Sequence, residues 1–196
     1  MYLIFDSSAN GKPKTYKAPH DDTFNWPRLL QLSWIILGED LKPLEDYNCV
    51  IQPVGFKPAP KAMKSHHIDQ EHFDKTTDTL EEVLVKFKEG VDKCDYVFAH
   101  NLAYNEGVVG AEYYRMSKVS PLIGADSYCL MHESTYFCKL KGKRGYKWPS
   151  LQELHTSCFK QGFTPSGHAR ADVIAATRSF IYLKKARAFE DIFFED

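Results

Sequence analysis

Tyr2-Leu3-Ile4-Phe5-Asp6 is a run of four strand-forming residues that ends in an acid, and residues 7–11 after it are small and turn-prone. The apolar and aromatic run is typical of a buried strand, and the small polar residues are typical of a turn. A central strand with this ending brings its carboxylate to the rim of a sheet. Because carboxylate sites for divalent metals need several oxygens, Asp6 needs partners from elsewhere in the chain.

The length and composition predict a single domain over residues 1–196. A chain of 196 residues with 43% hydrophobic residues is long enough to bury a full core, and no linker-like segment divides it. No apolar run approaches the ~18 residues that a membrane span needs. Residues 1–6 already form the first strand and leave no room for a secretory signal, so we expect a cytoplasmic protein without a membrane segment.

Cysteine content and net charge exclude two simple interpretations. The five cysteines include no Cys-x-x-Cys pair, which argues against a zinc knuckle and against a disulfide framework. The formal net charge is −1, so the overall charge does not indicate a nucleic-acid partner. Any such partner has to be held by local patches.

The hydrophobic pattern predicts an α/β fold with a five-stranded mixed sheet. After the first strand, the predicted strands are residues 29–37, 47–52, 96–99 and 121–126, and the predicted helices are residues 80–91, 102–118, 127–137, 151–157 and 169–188. The first three strands form an antiparallel meander, and the crossovers make the last two parallel to the first. Asp6, Asn101 and Asp126 would then be neighbours at one edge.

His168 and Asp172 are four residues apart, and on a helix this spacing places both side chains on one face. A histidine beside a metal-binding carboxylate can deprotonate water, since its pKa lies near neutrality. The alternative is a solvent-facing pair near a helix start, where an aspartate complements the helix dipole.

Three motifs in chain order resemble the DEDDh exonucleases, which are DnaQ-like proofreading nucleases with an RNase H-like fold. They are the strand ending in Asp6, the Ala-His-Asn junction at 99–101, and a late His-x-Ala-x-Asp from His168 to Asp172. The resemblance covers essentially the whole chain. Three further segments are similar to a bacterial and phage branch of that family: Trp26-Pro27-Arg28-Leu29-Leu30-Gln31-Leu32, Gly145-Tyr146-Lys147-Trp148-Pro149-Ser150-Leu151 and Gly167-His168-Ala169-Arg170-Ala171-Asp172.

The resemblance implies a 3′–5′ exonuclease, a hydrolase that uses two Mg²⁺ or Mn²⁺ ions held by four carboxylates, with a histidine as general base. It maps His168 as the base and Asp6 and Asp172 as metal ligands. Ser8 and Asn105 stand where the family has a glutamate and an aspartate. Because neutral oxygens bind hard cations more weakly than carboxylates do, we expect at most one ion to bind well.

Four further residues are candidates near this site. Asp126, at the predicted end of the fifth strand, would support the metal ligands from behind, or would only cap a helix. Asn101 would contact substrate at the strand-to-helix junction. Lys147 and Trp148 belong to the basic, aromatic loop 139–148, which would bind phosphates and stack a base, or would be a solvated lysine loop with its tryptophan in the core.

Two histidines and one loop carry less specific signals. His66 and His67 resemble the family's segment near the primer end, although neighbouring surface histidines are usually incidental. The aromatic-rich loop 13–26 is either a substrate rim or a packed lid.

Three functions are compatible with these residues. The first is an exonuclease-like protein that acts on or binds single-stranded 3′ ends, with activity weak or lost. The second is an active exonuclease that uses one metal ion together with Asn105, Ser8 and substrate oxygens. The third is a non-catalytic module that binds nucleic-acid ends or a protein partner, whose identity the sequence does not indicate.

Overall fold

The computed structural model describes residues 1–162 and 168–193. In these ranges the strands of the main sheet are β1 (Tyr2–Ala9), β2 (Leu29–Leu37), β3 (Pro43–Val50), β4 (Tyr96–Ala99) and β5 (Ser127–Cys129). A separate hairpin consists of β6 (Lys141–Gly142) and β7 (Gly145–Tyr146). The helices are α1 (Pro60–His66), α2 (Gln70–Lys75), α3 (Leu80–Asp92), α4 (Leu102–Arg115), α5 (Leu130–Glu133), α6 (Thr135–Cys138), α7 (Leu151–Phe159), α8 (Ala169–Lys185) and α9 (Glu190–Phe193).

The main sheet has the strand order β3-β2-β1-β4-β5. β2 pairs antiparallel with β1 and with β3, whereas β4 is parallel to both β1 and β5. The predicted α/β fold with a five-stranded mixed sheet is therefore confirmed. Because β1, β4 and β5 are parallel, their carboxyl ends meet at one edge, which is where ligands bind in open α/β sheets.

Helices cover both faces of the sheet. On one face, Phe5 and Trp34 pack with residues of α3 and α4 around Phe87. On the other face, Ile4 and Phe98 pack with residues of α7 and α8. β2 is buried along its whole length, so it reads as a continuous apolar run with few polar residues. No helix in the described ranges is long and apolar enough to cross a membrane.

The first strand is longer than its sequence predicts. Ser7 and Ser8 continue β1 opposite Leu32 and Gln31 of β2, although these serines were expected to form a turn. Both are buried, with exposed fractions of 6% and 0%. Polar partners on neighbouring elements satisfy their hydroxyl groups, and a buried polar residue with such partners is stable inside a sheet.

The prediction for the fifth strand is wrong. Residues 121–125 form turns that contain Gly124 with φ +84°, and β5 begins only after Asp126. The backbone carbonyl of Asp126 accepts a hydrogen bond from Val97 N at 2.9 Å, which places this residue at the amino end of β5. Asp6 lies about 13 Å further along the strand direction, at ~3.3 Å per residue. Asp126 is therefore not a neighbour of Asp6, and it does not support a site there.

Other differences concern short elements. The predicted helix 127–137 is a short strand followed by α5 and α6. The segment from Lys61 to Phe73, which has no clear period, contains α1 and α2. β3 begins at Pro43, four residues before its predicted start.

Candidate functional site

A cavity of about 590 Å³ opens at the carboxyl edge of β1 and β4. One wall comes from the loop after β1 and the start of α4, and the opposite wall comes from α1. The lining residues are Asp6, Ser7, Gly11, Lys12, Tyr16, Ala59, Lys61, Ala62, Ser65, His66, His100, Asn101, Tyr104, Asn105, Leu151 and Asp172. Acidic groups lie deep in the cavity, whereas two lysines and several aromatic rings lie around them.

Asp6 and Asp172 form the acidic part of the cavity. Asp6 lies in β1, and Asp172 lies in the first turn of α8, which packs against β1. Burial raises the pKa of the Asp6 carboxyl well above its usual value, and the nearby charge of Asp172 raises it further. Hydrogen bonds from Asn105 and from the backbone of Ser7 act in the opposite direction. The structure thus brings together two of the predicted metal ligands.

Asn105 is held by five hydrogen bonds that fix the orientation of its amide. Its Nδ2 donates to Asp6 Oδ1 at 3.1 Å, to the His100 carbonyl at 3.1 Å and to the Asn101 carbonyl at 3.5 Å. Its Oδ1 accepts from the backbone N–H of Ser7 at 2.7 Å and from Ser7 Oγ at 2.6 Å. A backbone N–H only donates and a carbonyl only accepts, so the amide cannot be flipped. Asn105 therefore directs a donor toward Asp6, where the resemblance implies a carboxylate.

Ser8 does not line the cavity. Its Oγ accepts a hydrogen bond from Ala169 N at 3.0 Å and donates to Gln31 Oε1 at 3.3 Å. The same Gln31 oxygen accepts a second bond from Ala169 N at 3.0 Å. Ser8 thus joins β1 to the first residue of α8, and its hydroxyl is occupied by structural contacts.

His168 lies outside the helix on which its predicted pairing with Asp172 depends. α8 begins at Ala169, and His168 has an extended backbone with φ −94° and ψ 117°. Gln31 Nε2 lies 3.2 Å from its Nε2 and 3.4 Å from its Nδ1. Partial burial lowers the pKa of His168, and the nearby His72, His67 and His66 lower it further. His168 is not among the cavity-lining residues, and Gly167 lies outside the described residues.

His66 lines the cavity, although its sequence context offers little reason to assign it a function. It lies in the last turn of α1, and its Nε2 lies 2.9 Å from the carbonyl of Ala9. The signal in the sequence was Pro60 at a helix start, since proline is favoured at the first helical position. Lys61 and Ser65 of the same helix also line the cavity, and sequence reasoning missed both.

The junction between β4 and α4 is a strained segment that positions Asn105. Asn101 has a left-handed backbone with φ 60° and ψ 57°, which costs of order 1–3 kcal/mol in a residue other than glycine. Burial lowers the pKa of His100 to about 4, so its ring is neutral near neutral pH. The ring donates through Nε2 to the carbonyl of Pro149 at 3.0 Å. Both junction residues line the cavity.

The loop before β2 packs on α4 and also forms part of the cavity wall. Trp26 is 3% exposed and lies against Gly107, where an added Cβ would come within 2.2 Å of its ring. Tyr16 of the same loop lines the cavity and contacts Tyr104, whose hydroxyl donates to the Gly11 carbonyl at 3.1 Å. We call this loop the lid. It combines both sequence interpretations, because Trp26 packs on α4 while Tyr16 forms part of the cavity wall.

Lys147 and Trp148 lie on the surface and not in the cavity. Lys147 Nζ pairs with Glu153 Oε1 at 2.5 Å. Trp148 is 61% exposed, and its ring contacts that of His132 at a tilt of 41° with the centroids 4.3 Å apart. The interpretation that placed Trp148 in the core is wrong.

The described residues contain no group of three or more histidine, cysteine, aspartate and glutamate side chains arranged to hold a metal ion. Asp6 and Asp172 are the two carboxylates among the cavity-lining residues. The amide of Asn105 donates to Asp6, and the hydroxyl of Ser8 is bonded to Ala169 and Gln31.

Comparison with known proteins identifies the fold. No family model matches the chain, and no curated protein matches it in sequence. Among solved structures, E. coli Exonuclease I in complex with a dT13 oligonucleotide is similar, with a TM-score of 0.71 and 15% identity over 98% of this chain. The zinc-bound form of the E. coli Exonuclease I complex with single-stranded DNA has a TM-score of 0.66 and 16% identity, also over 98% of this chain.

A 3′-exonuclease that recognises the 3′ end of a histone mRNA stem-loop has a TM-score of 0.70 and 11% identity, over 94% of this chain and 81% of its own length. The chain spans 43% and 42% of the two Exonuclease I chains. These identities establish a common architecture and not a common activity. Over nearly its whole length, the chain has the α/β fold of the DnaQ-like 3′–5′ exonucleases.

Proposed function

We propose that this protein binds the 3′ ends of single-stranded nucleic acid in the cavity and that its metal-dependent hydrolysis of those ends is weak or lost. The observation that carries the proposal is the orientation of Asn105, whose amide donates to Asp6 at 3.1 Å. A donor therefore faces Asp6 at the position where the resemblance implies a second carboxylate. Ser8, at the other altered position, contributes no ligand because its hydroxyl is bonded to α8 and Gln31.

The cavity supports binding of a nucleotide end by its size and by its lining. Lys12 and Lys61 supply positive charge for a phosphate, and Tyr16 and Tyr104 supply aromatic surface for a base. Asn101 lies in the same lining, and we assign it a contact with the terminal nucleotide. Two of the similar structures are described with single-stranded DNA or with an mRNA 3′ end, which favours an end-binding function over one that reads a duplex sequence.

We assign Asp6 and Asp172 as the ligands of the single Mg²⁺ or Mn²⁺ that this site can hold. A divalent ion supplies activation of water and stabilisation of the leaving oxygen. The two carboxylates lie close enough for each charge to oppose the other, and a bound cation would relieve this repulsion. His168 is the proposed base, and its lowered pKa keeps the ring neutral and able to accept a proton near neutral pH.

The test is a titration of Mg²⁺ and Mn²⁺ against a single strand labelled at its 3′ end. We compare the native chain with the double variant Ser8→Glu/Asn105→Asp, which returns both carboxylates, and we follow product length together with the metal-induced change in Tm. The native chain should trim slowly or not at all and should show a small rise in Tm with metal. The double variant should gain metal-dependent trimming and a larger rise in Tm.

Two controls make the outcome decisive. Circular dichroism verifies that the double variant folds, since Ser8 is fully buried. Asp172→Asn in the native chain removes one of two charged ligands and should abolish any residual trimming. Rapid trimming by the native chain that disappears in Asp172→Asn would overturn the degenerate site and would favour a working one-metal nuclease.

A further inference from the structure

The hairpin β6–β7 and its flanks carry a basic and aromatic surface outside the cavity. Residues 139–148 contain five cations and no acid. Lys147 pairs with Glu153, but no ion pair of the described residues involves the other four cations, which are Lys139, Lys141, Lys143 and Arg144. All four are exposed. In a chain of net charge −1, this is a local excess of positive charge.

Three exposed aromatic rings accompany these cations. Tyr136, Trp148 and Tyr146 are 77%, 61% and 48% exposed. Tyr136 meets Tyr146 edge to face with the ring centroids 6.1 Å apart, and Trp148 contacts His132 in a tilted arrangement with the centroids 4.3 Å apart. Each ring is fixed by one aromatic neighbour and still presents much of its surface to solvent. We call Tyr136, Tyr146 and Trp148, together with the four unpaired cations, the hairpin surface.

The hairpin surface is connected to the cavity through one residue. Pro149 follows Trp148, and its carbonyl accepts a hydrogen bond from His100, which lines the cavity. Leu151, two residues further, also lines the cavity. On the other side, α5 begins directly after β5, whose carboxyl end lies at the same edge of the sheet as the cavity. The surface and the cavity therefore share one edge of the molecule.

We propose that the hairpin surface binds the internal nucleotides of a single-stranded nucleic acid, with bases stacked on Trp148, Tyr146 and Tyr136 and phosphates paired with the lysines and Arg144. Sequence-tolerant single-strand binding requires this combination of aromatic platforms and cations. A duplex keeps its bases stacked inside and cannot use the rings. The proposal extends the proposed function and rests on it only for the identity of the strand end that enters the cavity. Binding at the hairpin surface itself needs neither a metal nor a free end.

The experiment measures the affinity of fluorescein-labelled oligothymidylate by anisotropy in EDTA, with a linear strand and a closed circle of about 15 nucleotides each, the length that one single-strand site covers. The circle has no 3′ end and reports the hairpin surface alone. Trp148→Ala should weaken binding of the circle about tenfold, since stacking of one base contributes about 1–3 kcal/mol. Tyr114→Ala, which removes a ring that is 54% exposed on α4, is the matched control and should change nothing.

The charges are tested by the salt dependence of the same binding. Lys141→Ala/Lys143→Ala/Arg144→Ala should reduce the slope of log K against log[salt] by about 2, because each phosphate contact on a single strand contributes about 0.7. Lys88→Ala/Lys93→Ala/Lys118→Ala removes the same net charge from another surface and should leave the slope unchanged.

Three results would overturn the proposal. They are a circle that does not bind, circle binding that is unchanged in both hairpin variants, and a duplex of equal length that binds as tightly as the circle. The affinity for the linear strand, compared with that for the circle, tests the proposed function separately. If the linear strand binds more tightly than the circle and the difference disappears in Asn101→Ala, end binding in the cavity stands even where the hairpin proposal has failed.

Discussion

Asn105 and Asp6 show how one neutral side chain alters the chemistry of a carboxylate. In the family that the sequence resembles, the position of Asn105 carries a negative charge that faces metal. Here its amide donates to Asp6 at 3.1 Å and to a backbone carbonyl at 3.1 Å. The pKa of Asp6 nevertheless stays well above its usual value, because burial and Asp172 outweigh the two hydrogen bonds that lower it. Asp6 therefore destabilises the folded protein when it ionises without a cation.

This raised pKa predicts the effect of Asp6→Asn. Below 3.8, the pKa of this carboxyl in the unfolded chain, the group is protonated in both the folded and the unfolded state. As the pH rises from 3.8 to the higher pKa of the folded state, the free energy of unfolding falls. We expect Asp6→Asn to raise Tm by about 2–4 °C near neutral pH in EDTA, equivalent to roughly 1 kcal/mol in a chain of this size. The gain should vanish at about pH 3.5.

Scanning calorimetry across the pH range measures this difference. Asp126→Asn, at the exposed opposite edge of the sheet, is the control and should leave Tm nearly unchanged near neutral pH. A neutral-pH Tm for Asp6→Asn at or below that of the native chain would show that Asp6 is stabilised as the anion.

His100 gives a second prediction at the scale of one residue. Burial lowers its pKa to about 4 from a usual value of 6.5. The folded state therefore resists protonation, and stability falls as the pH drops from 6.5 through 4. We expect the His100 ring to stay neutral at about pH 5.5 in an NMR titration, because burial opposes its charge more strongly than the hydrogen bond to the Pro149 carbonyl favours it. A ring that titrates near 6.5 would contradict this burial.

At the scale of elements, α4 determines where the lid lies. Gly107 faces Trp26 so closely that a Cβ would come within 2.2 Å of the indole. Gly107→Ala should lower the free energy of unfolding by about 1–3 kcal/mol, as overpacking does, although alanine in an open helix position gains up to ~1 kcal/mol over glycine. Urea unfolding measures the change. In a Trp26→Leu background the penalty should shrink, and an equal penalty there would show that the indole is not its cause.

The same helix carries a buried charge that ties the lid to it. Glu112 is 0% exposed and accepts from Arg28 Nε at 2.9 Å and from Leu29 N at 2.9 Å, and Arg115 lies 3.1 Å away. Arg115 also donates to two carbonyls of the lid, those of Thr23 and Trp26, at 2.7 Å each. These bonds connect the start of β2 and the lid with one carboxylate.

Glu112→Gln should therefore be strongly destabilising. It keeps the shape but leaves two guanidinium groups without a counter-charge, and removing one partner of a buried ion pair costs about 3–5 kcal/mol. Glu81→Gln is the control, because Glu81 forms an exposed pair with Lys118 at 2.6 Å and such a pair contributes at most ~1 kcal/mol. Similar losses in urea unfolding for both variants would contradict the role of burial.

In the whole molecule, the cavity lies at one edge of the sheet and a packed aromatic core lies on one of its faces. The cavity lies at the carboxyl edge of the parallel strands, whereas Phe189, after α8, is 3% exposed and packs on Phe98 and Phe180. Phe189→Ala should cost about 3–5 kcal/mol, as for other buried phenylalanines. It should leave the affinity for a linear oligonucleotide unchanged at temperatures where the variant is folded. An equal loss for Phe24→Ala, a ring that is 88% exposed, would contradict this packing.

The sequence predicts the architecture better than it predicts short elements and contacts. β2 is continuous and apolar, and α3 begins with a capping box from Thr79 to Glu82, so both are recognised by pattern. β5 has three residues, too few for any period. Ser7 and Ser8 extend β1 only because Asn105 and Gln31 satisfy them, and such partners are distant in sequence.

The same contrast between architecture and individual contacts applies to the candidate site. The family resemblance placed Asp6 and Asp172 in one site, and they lie near each other because α8 packs against β1. Topology alone paired Asp6 with Asp126, which was wrong.

The predicted start of α8 at Ala169 agrees with the structure and already leaves His168 outside the helix, so the helical spacing of His168 and Asp172 did not by itself place the His168 ring. His66 and Lys61 reach the cavity through α1, a helix of seven residues whose sequence has no apolar period.

The hydrogen bonds of Asn105 also determine how the site would respond to carboxylates at positions 8 and 105. Asn105→Asp alone would direct a carboxylate oxygen at Asp6 Oδ1 and at the carbonyl of His100, since those groups now accept from the amide. The single variant should therefore be less stable than the native chain, whereas Ser8→Glu alone would meet the start of α8. Each single substitution is therefore expected to lower the free energy of unfolding in the absence of a bound cation. The neutral side chains at both positions therefore match the hydrogen-bonding groups that surround them.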